Sequence, residues 1–326
     1  MARVPAIESP IPVLPGRGLQ RLSQVLAFST FVLIGLGGLV NSTGSGLSVP
    51  DWPTTYGRHL FLYPLSEWRG GILYEHTHRL VAALVGFLAF VQVLWTWLLP
   101  REERYRWLRG VSLTAFLLVV VQGVLGGLTV MLRLPTAISV SHALVAQIFF
   151  ACTILLALGT SSRWHLVPPL QMVSLRRFFR ISLSVWSVSF VQILFGALTR
   201  HTYSALAIPD FPLVFGGIFP PAWALNEQVF LHYLHRLIGF VLAGLMFWQG
   251  WELCRSQVPG RYIWGIGSIV LVLGQVLVGG WLVWSLRAVF PTTLHVVLGT
   301  AIWALNTMLF IRLWRWQWLT QHAQLA

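Results

Sequence analysis

The stretch Asn41-Ser-Thr-Gly-Ser-Gly-Leu-Ser-Val-Pro-Asp51-Trp-Pro53 returns without a gap as Arg200-His-Thr-Tyr-Ser-Ala-Leu-Ala-Ile-Pro-Asp210-Phe-Pro212. Thr, Ser, Leu, Pro, Asp and the final Pro coincide. Glu75-His-Thr-His78-Arg79 falls on His232-Tyr-Leu-His235-Arg236, and Gln122 to His142 falls at equal spacing on Gln275 to His295. Gly126-Gly127 then lies on Gly279-Gly280. The chain reads as a tandem duplication.

What is duplicated follows from composition. Of 326 residues, 56% are hydrophobic and only 10% charged, against about 25% charge in a typical soluble domain. A spanning helix needs about 20 mostly apolar residues, and runs of that length recur here. Disorder, a secreted disulfide scaffold and a soluble enzyme are excluded. The runs predict helices over 22–42, 72–99, 110–131, 137–160, 180–199, 230–254, 262–284 and 290–313. The proline-rich opening, Met1 to Gly18, is too long for a signal-peptide n-region and no small-residue cleavage site follows, so the first run is read as a retained helix.

With four helices in each half, the halves share one orientation, a parallel rather than inverted repeat. The expected fold is an all-α membrane protein of two four-helix bundles. Expected boundaries are a cytoplasmic segment 1–21, a first bundle 22–163, a linker 164–179, a second bundle 180–315 and a tail 316–326. The formal charge of +13 comes from arginine alone. With the N-terminus inside, inner loops hold about three times as many arginines as outer loops, which carry Arg58, Arg69, Arg133, Arg200 and Arg287. The topology is therefore N-in and C-in, and the charge marks orientation rather than a nucleic-acid surface. Cys152 and Cys254 fall in inner helix halves, away from any oxidising loop, and read as packing residues.

Ionisable groups within a bilayer are functional suspects. His78, His142, His235 and His295 lie near the starts of the even-numbered helices, all at one depth toward the outer face. Each bundle thus presents two histidines from two helices. Two imidazoles without a thiolate or carboxylate cluster suit axial ligation of haem iron, whereas zinc wants three or four protein ligands. Di-iron would need about four carboxylates, and within the spans only Glu75 and Glu252 occur, at opposite faces.

Glu75, one helical turn before His78, has His232 as its counterpart, so only the first site has an acid. It is expected either to transfer protons or to pair with Arg79. Arg79 and Arg236 are expected either to clamp haem propionates or to pair with Asp51 and Asp210. The Pro-Asp turns should fold the outer loops over the bundle mouths. The Gly-Gly pairs would admit a close approach or serve as small-residue helix packing. His232 reads as a spare ligand or a support, His76 as interfacial, and His59, His165, His201 and His322 as solvated in loops or the tail.

With these motifs in place, the chain resembles the haem A synthase family over about residues 20 to 315. The resemblance rests on the Gly44–Pro53 loop, Glu75-His-Thr-His78-Arg79, Ser141-His142-Ala, His235-Arg236 and Pro291-Thr-Thr-Leu-His295. It implies an oxidoreductase that converts the C8 methyl of haem O to a formyl group through hydroxylated intermediates, for cytochrome oxidase biogenesis. It further implies that His235 and His295 ligate a low-spin haem b, and that His78 and His142 bracket the substrate haem with Glu75 assisting. Implied partners are haem O, the farnesyltransferase that makes it and a membrane electron acceptor. Many family members carry a cysteine pair where this chain has Val49 and Thr55, so no thiol chemistry operates there. Rival readings are a membrane di-haem b electron-transfer protein, which has no need of an acid in one site only, and a haem-handling or transport protein.

Overall fold

The computed structural model describes residues 16–166 and 172–323. Most of the segment assigned to 1–21, and parts of the linker and the tail, lie outside the described residues. Eight α-helices account for most of the rest: α1 Arg17–Ser42, α2 Gly71–Leu98, α3 Arg106–Met131, α4 Thr136–Gly159, α5 Met172–His201, α6 Glu227–Cys254, α7 Arg261–Trp284 and α8 Val289–Ala323. All eight are long and apolar enough to cross a membrane. Among the described residues there are no strands, only the isolated bridges Thr55–Arg58 and Val214–Gly217 in the long loops.

Two helices outrun their apolar cores. α5 begins at Met172 rather than near 180, and α8 continues to Ala323 rather than stopping near 313. Both extensions have a packing cause. Leu175 and Phe178 of α5 meet Leu309, Leu313 and Trp316 of α8, together with Leu253 and Val258. Burial against a neighbour sustains the helix where hydropathy alone falls away.

Within each half the helices close a ring of neighbours: α1 on α2, α2 on α3, α3 on α4 and α4 back on α1, then α5 through α8 in the same way. The halves meet through α1 against α8, α4 against α5 and α4 against α8. Aromatic rings fill that seam. Trp186 stacks on Trp303 with centroids 5.1 Å apart, Phe190 joins Trp303 at 5.6 Å, and the Trp303 indole donates to the Gln147 carbonyl at 3.0 Å. Lipid cannot drive helices together by hydrophobicity, so packing and polar contacts do it. Ser23–Gln92, Thr96–Ser112 and Gln249–Asn306 supply such contacts deep between helices.

Candidate functional site

The even-numbered helices begin at the face bearing the two Pro-Asp loops. His78, His142, His235 and His295 each lie two turns or so inside that start, roughly 10 Å down at 1.5 Å per residue. The rings of His235 and His295 face one another across the second bundle, with centroids 6.3 Å apart and planes at 70°. Two imidazoles sharing one metal, each nitrogen about 2.0 Å away, would put their centroids roughly 6 Å apart. The observed separation would let both rings reach one metal ion. In the first bundle His78 and His142 lie close enough for their charges to interact. Nδ1 of each is buried without a partner. Among the described residues, no group of three or more His, Cys, Asp or Glu that could hold a metal ion is present.

Each histidine is seated on a glycine of the preceding helix or a neighbouring one. A Cβ at Gly37 would sit 3.2 Å from Cε1 of His78, at Gly126 3.3 Å from that of His142, at Gly196 3.2 Å from that of His235, and at Gly279 3.2 Å from that of His295. Glutamines brace three of the four: Gln192 Nε2 lies 3.1 Å from His235 Nδ1, Gln275 Nε2 3.3 Å from His295 Nε2, and Gln122 donates to the His142 carbonyl at 2.9 Å. The position matching Gln192 in the first half is Leu33. The Gly-Gly pairs thus admit protein groups. Gly126 and Gly279 back a histidine, while Gly127 and Gly280 lie against Trp52 and Phe211 of the Pro-Asp loops.

The arginines bond the main chain of the Pro-Asp loops rather than the Asp51 and Asp210 carboxylates. Arg79 Nη1 donates to the carbonyls of Asp51 at 2.7 Å and Thr54 at 2.9 Å, and Nη2 to the carbonyl of Val49 at 2.9 Å and to Glu75 Oε1 at 2.7 Å. Arg236 Nη1 donates to the carbonyls of Asp210 at 2.7 Å and Leu213 at 3.0 Å and Nη2 to that of Ile208 at 3.1 Å, with Nε 3.1 Å from His232 Nε2. Four of the five N–H donors of Arg79, and at least three of those of Arg236, are spent holding a loop. A main-chain carbonyl satisfies a buried guanidinium as well as a carboxylate does geometrically, and residue types alone do not separate the two.

Glu75 belongs to the same clamp. It is buried, one oxygen pairs with Arg79, and the other accepts the Val49 N–H at 2.9 Å. His232 occupies the same place opposite, with Nδ1 3.3 Å from the Ile208 nitrogen and Nε2 3.1 Å from Arg236 Nε, and as a neutral imidazole it accepts from one of the two. The one-turn spacing puts Glu75 near His78 in sequence, but its carboxylate turns to the loop, and of the two expected roles the Arg79 pair is the one seen. His232 is likewise a loop support rather than a ligand. Asp51 accepts from Tyr56 N, Gly57 N and the Thr54 hydroxyl, and Asp210 from Phe215 N and Gly216 N. Partial burial raises these carboxyls, but the donors outweigh it and hold both below the usual 3.8.

His76 is enclosed by the first loop. It is almost wholly buried under Tyr63 and Trp68, with Nδ1 3.1 Å from the Thr55 hydroxyl. His201 ends α5 against Arg200 at 3.2 Å and is only partly exposed, and His165 is half-buried in a tight turn. His59 and His322 are exposed. Cys152 and Cys254 are free. A cleft of about 690 Å³ lies over the first loop by Tyr56, Tyr63 and Glu67, and none of the four histidines lines it.

The sequence model of the COX15-CtaA family, described as "Cytochrome oxidase assembly protein", matches residues 20–307. The chain is similar to a protein named heme A synthase from Alkalihalophilus pseudofirmus, 28% identical over 86% of this chain and 92% of the relative. Proteins of the same name from Halalkalibacterium halodurans and Sphingopyxis alaskensis are 26% and 25% identical, over 86% and 94% of this chain and 92% and 95% of their own lengths.

Proposed function

The chain belongs to the COX15-CtaA family of cytochrome oxidase assembly proteins, and from that premise we propose that it works as a haem A synthase, oxidising the C8 methyl of haem O to a formyl group. The observation that carries the reading is the facing His235–His295 pair, at a spacing that would let both rings reach one iron, beside a second histidine pair with free buried nitrogens. His235 and His295 hold a resident haem b, which supplies one-electron redox chemistry when bound. His78 and His142 bracket the substrate haem in the first half.

The chain's other groups position these four rings and shield them. Glycine seats fix how far each ring can retreat, and Gln192 and Gln275 orient the rings of the second pair. Arg79 with Glu75, and Arg236 with His232, draw the Pro-Asp loops over the bundle mouths, setting Trp52 and Phe211 against α3 and α7. Glu75 acts as a positioning residue for the first loop. The two halves form a parallel repeat of bundles spanning 22–163 and 180–315. Both chain ends lie in the cytoplasm and the histidines toward the outer face of the cell membrane, an orientation supported by the arginine bias between loops and by the even number of spans. The partners in this reading are the farnesyltransferase that makes haem O and a membrane electron acceptor.

The test is expression in a host that makes haem O but no haem A, followed by extraction of membrane haems. Haem A should appear with the wild-type chain. Unchanged haem O, with the protein present and haem-loaded, would instead identify an electron-transfer or haem-carrying protein.

A further inference from the structure

Where α4 meets α5 at the Pro-Asp face, the structure gathers positive charge with no carboxylate to answer it. Thr136 at the start of α4 donates to the His201 carbonyl at 3.3 Å, which ties the end of α5 to the first bundle. Arg200 sits at this junction with its Nη2 3.2 Å from His201 Nε2. Arg287, in the turn between α7 and α8, acts on Arg200 through its charge, and Arg200 acts in turn on His142. Nε of Arg200 and Nε of Arg287 are both buried without a hydrogen-bond partner. Neither arginine takes part in the ion pairs Arg58–Glu67, Arg79–Glu75 and Arg177–Glu252.

A buried guanidinium nitrogen without a hydrogen bond is costly, and Arg200 and Arg287 each hold one at this junction, within reach of each other's charge. The pair also occurs once where the sequence repeats. In the register that sets one half on the other, Arg200 falls on Asn41 and Arg287 on Leu134. We propose that Arg200 and Arg287 form a carboxylate-binding site that takes a propionate of the haem held between His78 and His142. The assignment rests on reading that pair as the substrate-haem site. Guanidinium forks match carboxylate geometry with two parallel N–H···O bonds, and the donors of Arg79, nearer in sequence, are already spent on the loop. The first half's ligand is thereby held in part by the second half, through residues of α5 and the α7–α8 turn.

The test uses the full-length protein with its second-half haem in place, titrated with haem O and with haem O dimethyl ester, whose propionates carry no charge. Binding is read from the absorbance change of the added haem. Arg200→Gln with Arg287→Gln should weaken the free acid about ten- to a hundred-fold, the usual weight of a hydrogen bond to a charged group, and leave the ester at wild-type affinity. Arg200→Lys, which keeps the charge without the fork, should fall between. Retention of the second-half low-spin spectrum checks folding, and each single Gln variant carries the same comparison if the double variant loses it. Wild-type affinity for haem O in the Gln variants, or equal losses of acid and ester, would overturn the proposal. Unaltered titration in a His78→Ala, His142→Ala variant would instead remove the first-half haem reading itself.

Discussion

Gly279→Ala is the sharpest perturbation of the second site, because the structure fixes what the added methyl meets. Its Cβ would stand 3.2 Å from Cε1 of His295, whereas carbon atoms rest at about 3.5–4.0 Å. The ring must retreat by roughly 0.3–0.5 Å, more than the ~0.2 Å tolerance of a metal–nitrogen bond. Disturbing the supports of a ligand typically costs about 10–100-fold in metal affinity, and that is the loss expected for second-half haem. Helix propensity works in the opposite direction, since Ala is favoured over Gly by about 0.8–1.0 kcal/mol, so weakened haem binding would not come from a weakened helix. Gly196→Ala should act alike on His235, where the added carbon also lies 3.2 Å from Cε1. Gly244→Ala is the control, with nothing within 4 Å of its Cβ. The assay is haem titration of purified protein with the low-spin absorbance spectrum as readout. Wild-type affinity and spectrum in both Gly196→Ala and Gly279→Ala would refute the idea that these glycines set the ring positions.

Three further outcomes follow from the loop clamps. Glu75→Gln keeps an acceptor for the Val49 N–H but breaks the buried pair with Arg79, so stability should fall by about 3 kcal/mol in thermal unfolding, with haem A output declining in step with folded protein; a fully stable variant that makes no haem A would return the carboxylate to the chemistry. Gly280→Ala places a carbon 2.7 Å from the Phe211 ring, and should unseat the second loop, read as faster proteolytic nicking between α5 and α6 than in wild type. Asp51 and Asp210 have carboxyls held below 3.8 by their N–H donors, so their contribution to loop order is full above that value and drains away as pH falls through the lowered folded values. Loop protection against an acid-active protease should show that dependence in wild type and lose it in Asp51→Asn with Asp210→Asn.

The helices were legible because spanning a bilayer demands an apolar run, and such runs leave little ambiguity about existence. Their ends were not, since Leu175 and Phe178 extend α5 by packing on Leu313 and Trp316, a tertiary cause that no window of hydropathy contains. The four histidines were legible as matched pairs at one depth. Their glycine seats were half visible: Gly126 and Gly279 stood out in the aligned blocks, while Gly37 and Gly196 obey the same register but lie outside them. The Glu75–Arg79 pair was one of two expected contacts, but the loop carbonyls that Arg79 and Arg236 meet were hidden, because a guanidinium meets carbonyls, carboxylates and propionates with the same donors. His76 was hidden for another reason. Its burial comes from Tyr63 and Trp68, which the loop folds over it.

The central claim is the division of labour between the two histidine pairs, and haem stoichiometry by half tests it most directly. The full-length protein, purified from a host supplying both haem b and haem O, is extracted and its haems identified for wild type and for two double variants. Wild type should yield one haem b together with haem O or its oxidised derivatives. His235→Ala with His295→Ala should lose the haem b, and His78→Ala with His142→Ala should lose the haem O-derived pigment and keep the haem b. Two equivalents of haem b in wild type, one removed by each double variant, would contradict the account.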